Sequence, residues 1–242
     1  VYAEMGSVNP LFVLPGALAA RGEKVAEGYA ASLTLGVGQF CTNPGVIVGL
    51  AGEAFDNFLT TVSERLRAVD EGTMLDEGIR SRYLEGVAAL AAHEALESSC
   101  YGEGVRPALF AVSGAEFLRR TELHEELFGP AAVAVRCADE AELEAVVSAL
   151  EGQLTATVHF EPSDTETVRR LLPVLVRMAG RIVANGFPTG VEVNPAMQHG
   201  GPYPATTDSR STSVGTAAIQ RFLRPVAFQD FPPELLPAEL RS

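Results

Sequence analysis

Short apolar runs alternate with helical stretches along the first three quarters of this 242-residue chain. The apolar runs have the length of buried β-strands, and the stretches between them carry apolar residues at helical spacing. Such alternation predicts an α/β fold in which helices cover a largely parallel sheet. The predicted strands are 11–14, 46–50, 108–114, 131–137, 154–160 and 181–185, and the predicted helices are 19–35, 55–66, 78–97 and the stretches after Asp139 and Ser163.

Two of the predicted helices carry start signals. Asp139 with Glu142, and Ser163 with Glu166, have the spacing of a capping box, in which side chains accept hydrogen bonds from free amides at the first turn. Pro173 lies inside the second of these helices. It is expected to kink or break that helix, because proline has no N–H and its ring clashes with the preceding turn.

The chain changes character after residue 185. Residues 186–215 are rich in Gly, Pro, Ser and Thr and lack periodicity, which predicts a long loop, and such loops are usually functional. A short helix in "AAIQRFLRP" and a proline-rich tail follow. No GxGxxG or GxxxxGK[ST] pattern occurs, so these residues contain no nucleotide-phosphate loop of their own.

Charge and hydropathy exclude several classes of partner. The net charge is −13, so we expect no nucleic-acid partner, since the surface repels phosphate backbones. No apolar run reaches the roughly 20 residues of a membrane span, so we expect no membrane partner. The first residues, "VYAEMGSVNP", have neither a basic segment nor a cleavage site and lack an initiator methionine. We therefore expect that the chain begins inside a longer protein.

The cysteines and histidines do not have the spacing of metal ligands. The number of cysteines is odd and no CxxC pair occurs, which argues against a disulfide framework and a zinc site. We therefore expect no metal and a reducing, cytoplasmic location. The residues concerned are Cys41, Cys100 and Cys137, with His93, His124, His159 and His199.

Cys41 lies in the glycine-rich stretch "GVGQFCTNPG" and has two interpretations. A free cysteine is most often a small buried hydrophobe, here at a turn between a helix and a strand. Alternatively the glycines allow close backbone approach, and Cys41 is a nucleophile beside an amide that stabilises an oxyanion. The local sequence offers no base, so a nucleophilic Cys41 needs a partner from elsewhere in the fold. Cys100 and Cys137 have no such context and are expected to be structural.

Three glutamates are candidates for a functional role. Glu4 precedes a strand beside Gly6, which is an odd place for a solvated charge. Glu125 and Glu126 precede "LFGP", where a solvated helix end is the simplest explanation, since most glutamates are exposed.

Four segments in this order resemble the aldehyde dehydrogenase superfamily. "AEMGSVNP" is similar to its glutamate motif, "GQFCT" to its cysteine motif, "EELFGP" to its cofactor-contacting motif, and "VANGFPT…HGGPYP" to its late Phe-Gly-Gly segment. Three positions depart from the usual residues, namely Ser7, Val8 and His199. The resemblance spans nearly the whole chain and corresponds to the second, catalytic half of the family's fold.

The resemblance implies a three-layer α/β catalytic domain over residues 1–200. Residues 201–242 are then a C-terminal segment that returns toward the nucleotide domain and the subunit contact. A Rossmann half that binds NAD or NADP would precede Val1. The family also implies a homodimer or homotetramer.

The resemblance further implies a role for individual residues. Cys41 is the nucleophile that forms a thiohemiacetal and then a thioester, and its backbone N–H supplies half of the oxyanion hole. Glu4 is the base that activates water for deacylation. Glu126 hydrogen-bonds the nicotinamide ribose, and Phe128 packs near the ring.

The departures resemble the subgroup that oxidises α-ketoglutaric semialdehyde to α-ketoglutarate. An anionic substrate favours a cation in the site, and Arg210 is a candidate, although a surface salt bridge or loop anchor is the simpler explanation for it. Phe187 is a candidate for the wall of the aldehyde tunnel, with a buried structural turn as the alternative.

Two other interpretations remain open. The chain is a non-catalytic subunit or inactive fragment if the cofactor domain is missing from the protein. It is a thiol acyltransferase or hydrolase if a histidine lies beside Cys41, which the sequence alone does not reveal.

Overall fold

The computed structural model describes residues 1–241 and contains a seven-stranded sheet with helices on both faces. The strands are β1 Leu11–Val13, β2 Val46–Leu50, β3 Glu97–Cys100, β4 Ala108–Ser113, β5 Ala131–Cys137, β6 Gln153–His159 and β7 Ala179–Ala184. The helices are α1 Pro15–Thr34, α2 Glu53–Arg67, α3 Glu77–Ala91, α4 Gly114–Arg119, α5 Glu140–Ala149 and α6 Thr165–Met178.

The sheet is parallel except at one edge. The strand order is β3-β4-β5-β2-β1-β6-β7, and only the β3–β4 pair is antiparallel. The short strand β1 therefore lies near the centre, paired with β2 on one side and β6 on the other. This arrangement confirms the predicted α/β class and the largely parallel sheet.

Helices cover the sheet in two layers, which gives the predicted three-layer architecture. Neighbouring residues of a strand face opposite sides, so Leu11 and Phe12 of β1 enter different apolar cores. Leu11 packs with Tyr29 of α1 and Phe55 of α2. Phe12 packs on the other face with residues of α4, α5 and α6, among them Leu143. Burial of each such side chain stabilises the fold by about 1.5–3 kcal/mol.

The predicted strands are confirmed to within two residues, but two helix boundaries differ. Helix α1 begins at Pro15 instead of residue 19, because proline fits the first helical position, where its missing N–H costs nothing. The helix predicted over 78–97 ends at Ala91, and Glu97–Cys100 forms the edge strand β3. Its sequence, "ESSC", has no apolar alternation that would have predicted a strand.

Neither predicted capping box forms in full: Asp139 caps α5, but the Glu142 carboxylate accepts from the amide of Ala138, at 2.6 Å, instead of from that of Asp139. The carboxylate of Asp139 accepts a hydrogen bond from the amide of Glu142 at 2.8 Å. Ser163 does not cap α6; the carboxylate of Asp164 instead accepts hydrogen bonds from the amides of Glu161 and Gly16. Helix α6 also continues through Pro173, so the expected break does not occur.

The predicted long loop connects β7 to a 3₁₀ turn at Thr216–Phe222, where a short helix was expected. Gly201 of this loop lies directly against the first residue of β6. A Cβ on Gly201 would stand 2.1 Å from the carbonyl oxygen of Gln153, so no larger residue fits there. The tail beyond it is largely exposed and carries apolar side chains in the open: Ile219, Phe222, Leu223, Val226, Phe228, Phe231, Leu235 and Leu240. Among the described residues, no helix has the length and apolarity needed to cross a bilayer.

Candidate active site

Cys41 lies in a tight loop between α1 and β2. The loop begins with three residues in the left-handed region, Gly36, Val37 and Gly38. A Cβ on Gly38 would stand 2.3 Å from the carbonyl carbon of Gly129, so only glycine permits this approach. The "GVGQFC" and "LFGP" segments, 90 positions apart in the sequence, are therefore in direct contact.

The side-chain amide of Asn9 attaches this loop to the sheet. Asn9 is fully buried, and its Nδ2 donates to the carbonyl oxygens of Cys41 and Asn43 at 2.9 and 3.0 Å. Its Oδ1 accepts from the hydroxyls of Ser7 and Thr155 at 2.9 and 3.0 Å. Sequence reasoning missed this residue, although "AEMGSVNP" contains it, because its partners are distant in the chain.

Further hydrogen bonds fix the residues that follow Cys41. The Nδ2 of Asn43 donates to the carbonyl of Gly129 at 2.8 Å, and the hydroxyl of Tyr29 donates to the carbonyl of Pro44 at 2.6 Å. Because Tyr29 belongs to α1, the loop is held from the helix layer as well as from the sheet.

Three reactive side chains meet at the surface end of this loop. Cys41 Sγ is 3.2 Å from Nε2 of His199, and the same Nε2 is 3.4 Å from Oε2 of Glu4. Cys41 is exposed, whereas His199 is buried. The structure thus brings together the two residues predicted to be catalytic and adds a histidine that the sequence analysis noted only as a departure from the Phe-Gly-Gly segment.

The N-terminal segment and the late loop hold Glu4 and His199 in place. Glu4 forms an antiparallel bridge with Thr206, and the amide of Met5 donates to the carbonyl of Ala205 at 2.8 Å. The amide of His199 donates to the hydroxyl of Thr212 at 2.8 Å. These contacts bring residues from opposite ends of the chain to Cys41.

Burial and charge keep this group neutral at rest. Burial, and then the charge of Glu4, raise the pKa of the Cys41 thiol above its usual value. Burial lowers the pKa of His199, an effect that Glu4 partly opposes. At neutral pH the pair is therefore a thiol and a neutral imidazole. The nearby backbone amides of Cys41 and Thr42 lower the pKa of the thiol in part.

Glu126 and Phe128 line an adjoining apolar cavity of about 260 Å³, together with Val8, Leu90 and Val133. The Glu126 carboxyl accepts a hydrogen bond from the amide of Ser7 at 3.2 Å, three residues from Glu4. Burial raises the pKa of Glu126 to about 7. A carboxyl group at the wall of an apolar cavity suits a ligand that is flat and apolar with hydroxyl groups at its edge.

Neither residue predicted for the substrate pocket forms a hydrogen bond or ion pair with Cys41, His199 or Glu4 among the described residues. The Phe187 ring packs 5.1 Å from the ring of His159 and against Gly28 of α1. The side chain of Arg210 is 92% exposed and pairs with Asp208 at 3.5 Å. Two half-buried cations lie near the site: the charges of Arg181 of β7 and of Arg221 lower the pKa of His199, and Cys41 in turn raises the pKa of Arg181.

A model of the Aldehyde dehydrogenase family matches residues 1–224, and the chain belongs to this family. It is 50% identical over 251 residues to "Alpha-ketoglutaric semialdehyde dehydrogenase 2" of Azospirillum brasilense, and the match covers 100% of this chain and 47% of that protein. It is 45% identical over 248 residues to "Alpha-ketoglutaric semialdehyde dehydrogenase" of Acinetobacter baylyi, with 100% and 47% covered. The chain thus spans about half the length of these curated relatives.

Solved structures share the fold. An indole-3-acetaldehyde dehydrogenase complexed with NAD+ superposes with a TM-score of 0.75 at 19% identity, over 92% of this chain and 45% of that one. Gamma-glutamyl-gamma-aminobutyraldehyde dehydrogenase of Burkholderia cenocepacia gives a TM-score of 0.72 at 21% identity, with 91% and 45% covered. At these identities the likeness establishes the architecture.

Replacing Asn9 by alanine tests the anchoring of the Cys41 loop. We expect Asn9→Ala to lower the free energy of unfolding by about 2–4 kcal/mol, because buried carbonyl and hydroxyl groups lose their partners at about 1–3 kcal/mol each. Denaturant unfolding measures the change. Asn57→Ala, at an exposed position of α2, is the control and should change stability by less than about 0.5 kcal/mol. An equally small effect at Asn9 contradicts the anchoring role.

The pKa of Glu126 predicts a pH-dependent effect of Glu126→Gln. The folded-state pKa of about 7 lies above the usual 4.5, so this carboxyl makes folding less favourable as pH rises from about 4.5 to 7. Above about pH 8 we expect Glu126→Gln to raise the free energy of unfolding by about 1–3 kcal/mol, with no difference near pH 4.

Unfolding curves at the two pH values measure this effect. Glutamine keeps an oxygen that accepts from the amide of Ser7, so the local hydrogen bond survives the change. Glu125→Gln, at the exposed neighbour, should show no pH-dependent gain. A gain of equal size at both pH values shows that ionisation of Glu126 is not its cause.

Proposed function

We propose that the protein containing this chain oxidises an aldehyde to a carboxylate, with Cys41 as the nucleophile. The observation that carries the proposal is the meeting of Cys41 Sγ, His199 Nε2 and Glu4 Oε2 at one exposed point of the fold. Membership of the aldehyde dehydrogenase family supports the same chemistry.

The first step is addition of Cys41 to the aldehyde. Sγ forms a bond to the carbonyl carbon, the π pair moves onto oxygen, and the thiol proton goes to the pair formed by His199 and Glu4. The backbone amide of Cys41, next to the new bond, would donate to the developing oxyanion. The neutral resting pair limits reaction of the thiol in the absence of substrate.

The cavity beside Glu126 fits a nicotinamide ribose. Its apolar wall suits the ring, and Glu126 accepts only one hydrogen bond among the described residues, from Ser7, which leaves its carboxyl able to accept from a ribose hydroxyl. A nicotinamide group of NAD or NADP held by Glu126 and Phe128 would supply the hydride acceptor that turns the Cys41 adduct into a thioester. The NAD-bound relative of the same fold is consistent with this assignment.

Glu4 completes the cycle as the base for deacylation. A water attacks the thioester carbon and gives its proton to the Glu4 carboxylate, and the carbon–sulfur bond breaks to release the acid and Cys41. The Glu4 side chain is 27% exposed, so water has access to it.

The substrate we propose is α-ketoglutaric semialdehyde or a similar oxo-acid aldehyde. The two curated relatives bear that name. The positive charge of Arg181 beside Cys41 and His199 favours an anionic aldehyde and makes Arg181 a better candidate than Arg210 for its carboxylate. A thiol nucleophile also favours a reducing compartment such as the cytoplasm.

A thiol hydrolase or acyltransferase is the second candidate, because His199 lies beside Cys41. Such a dyad needs a third group that orients the imidazole through its other nitrogen. Nδ1 of His199 is buried and has no hydrogen-bond partner in residues 1–241, and Glu4 approaches the nitrogen that already faces the sulfur. The arrangement therefore favours the dehydrogenase.

The rest of the assembly follows from the same proposal. Because the relatives are about twice as long, we propose that a nucleotide-binding half completes the active protein and that this half-length chain is not by itself the active unit. The exposed apolar side chains of residues 201–242 would be covered by that half or by a second subunit of a homodimer or homotetramer.

Kinetics of the full-length enzyme test the two catalytic roles. Cys41→Ala should abolish oxidation of the semialdehyde, because no other group forms the covalent adduct. Glu4→Gln should lower steady-state turnover about 10²–10⁴-fold while a single burst of reduced cofactor persists, because acylation precedes the step that needs the base. Stopped-flow absorbance of the reduced cofactor measures both phases.

The control for this experiment is Cys100→Ala, which removes a buried thiol of β3 and should leave turnover within about twofold. Full steady-state turnover in Glu4→Gln contradicts the assignment of Glu4.

A further inference from the structure

The three side chains at the site have the geometry of metal ligands. Cys41 Sγ, His199 Nε2 and a Glu4 oxygen all lie within 4.8 Å of one another. Zinc bonds of about 2.3 Å to sulfur, about 2.0 Å to nitrogen and about 2.1 Å to oxygen, at tetrahedral angles, separate sulfur from nitrogen by about 3.5 Å, nitrogen from oxygen by about 3.4 Å and sulfur from oxygen by about 3.6 Å. The observed sulfur–nitrogen and nitrogen–oxygen separations are 3.2 and 3.4 Å, and sulfur and oxygen lie within 4.8 Å, so a shift of the exposed side chains by about 1 Å or less completes the geometry.

The donor set is also chemically suitable. A thiolate, an imidazole and a carboxylate are the three side-chain types that zinc prefers, and together they leave a fourth position for water. Cys41 is exposed and Glu4 partly so, which gives a cation access from solvent. Sequence spacing predicted no metal site, because the three residues lie at positions 4, 41 and 199 and only the fold brings them together.

We propose that Cys41, His199 and Glu4 form an inhibitory site for a divalent cation of the zinc type, which occupies the nucleophile reversibly. Binding exchanges the S–H bond for a sulfur–metal bond and releases one proton to solvent, with no change of oxidation state. The inhibition rests on the proposed role of Cys41 in aldehyde oxidation, whereas the binding does not.

The surroundings favour an exchangeable cation over a resident one. A histidine that holds a structural metal almost always donates its other N–H to a partner, and Nδ1 of His199 has none among residues 1–241. The positive charges of Arg181 and Arg221 also act on His199 and oppose a further cation. These features predict weaker binding than in structural zinc sites.

The chain contains a matched control pair. His93 Nε2 lies 3.4 Å from Oε1 of Glu122, which is the same separation as between His199 and Glu4. Among the described residues, no cysteine lies close enough to this pair to act as a third metal ligand. His93→Phe therefore removes a histidine–carboxylate contact of the same length and leaves the proposed site intact.

Cobalt absorption tests the binding without reference to turnover. The reduced full-length protein is titrated with Co²⁺ and then with Zn²⁺ as the competitor. We expect one Co²⁺ per chain with a sulfur-to-cobalt charge-transfer band that Zn²⁺ abolishes. His199→Phe and His199→Gln should each weaken binding at least about tenfold, since loss of a ligand costs at least as much as loss of its supporting contacts. His93→Phe should bind as the parent protein does.

Alkylation and activity complete the experiment. Bound Zn²⁺ should protect Cys41 from iodoacetamide and inhibit oxidation, and a chelator should reverse both effects. No charge-transfer band, or a band that both His199 variants keep at full strength, overturns the metal site. If Zn²⁺ binds and protects Cys41 but aldehyde oxidation continues, the metal site is supported and the proposed catalytic role of Cys41 is contradicted.

Discussion

The buried side-chain amide of Asn9 is the contact on which the geometry of this site depends. It joins the carbonyls of Cys41 and Asn43 to the segment that enters β1, the strand paired with both β2 and β6. Its oxygen is bound in turn to Thr155 of β6. Because Asn9 is fully buried, these hydrogen bonds do not exchange with water, and losing one leaves an unpaired polar group in the core. The loop that carries Cys41, the proposed nucleophile, is thus attached to the centre of the sheet.

Two long-range contacts then bring the remaining groups to that loop. The bridge between Glu4 and Thr206 joins the two ends of the chain, and the Gly-Gly pair lets the His199 loop lie against β6. The resulting cluster is partly desolvated, which raises the pKa of the Cys41 thiol and lowers that of His199. The Cys41 thiol and the His199 imidazole are therefore neutral at rest, next to an apolar cavity with Glu126 at its wall.

The sequence predicted the sheet well because its buried strands are short apolar runs that need no distant information. The strand β3 was not predicted, because its residues, "ESSC", have no apolar pattern. It forms by hydrogen-bonding to β4 at the edge of the sheet. The motifs identified Cys41, Glu4 and Glu126 as candidates. The roles of Asn9 and His199 were not predicted, because both depend on contacts with Cys41. These contacts join residues that lie 32 and 158 positions apart in the sequence. Phe187 and Arg210 were chosen for chemical type alone, and neither contacts Cys41 in the described structure.

The central claim is that this fold presents Cys41 as a nucleophile and keeps its other thiols inert. Relative alkylation rates in the native, reduced, full-length protein test it most directly, with iodoacetamide as the reagent and peptide mass spectrometry as the readout. Cys41 is exposed, whereas Cys100 and Cys137 are buried, so the reagent reaches Cys41 alone, although burial raises the pKa of all three thiols. The account predicts that Cys41 reacts at least about 100-fold faster than either of them. Equal, slow alkylation of all three cysteines would contradict it.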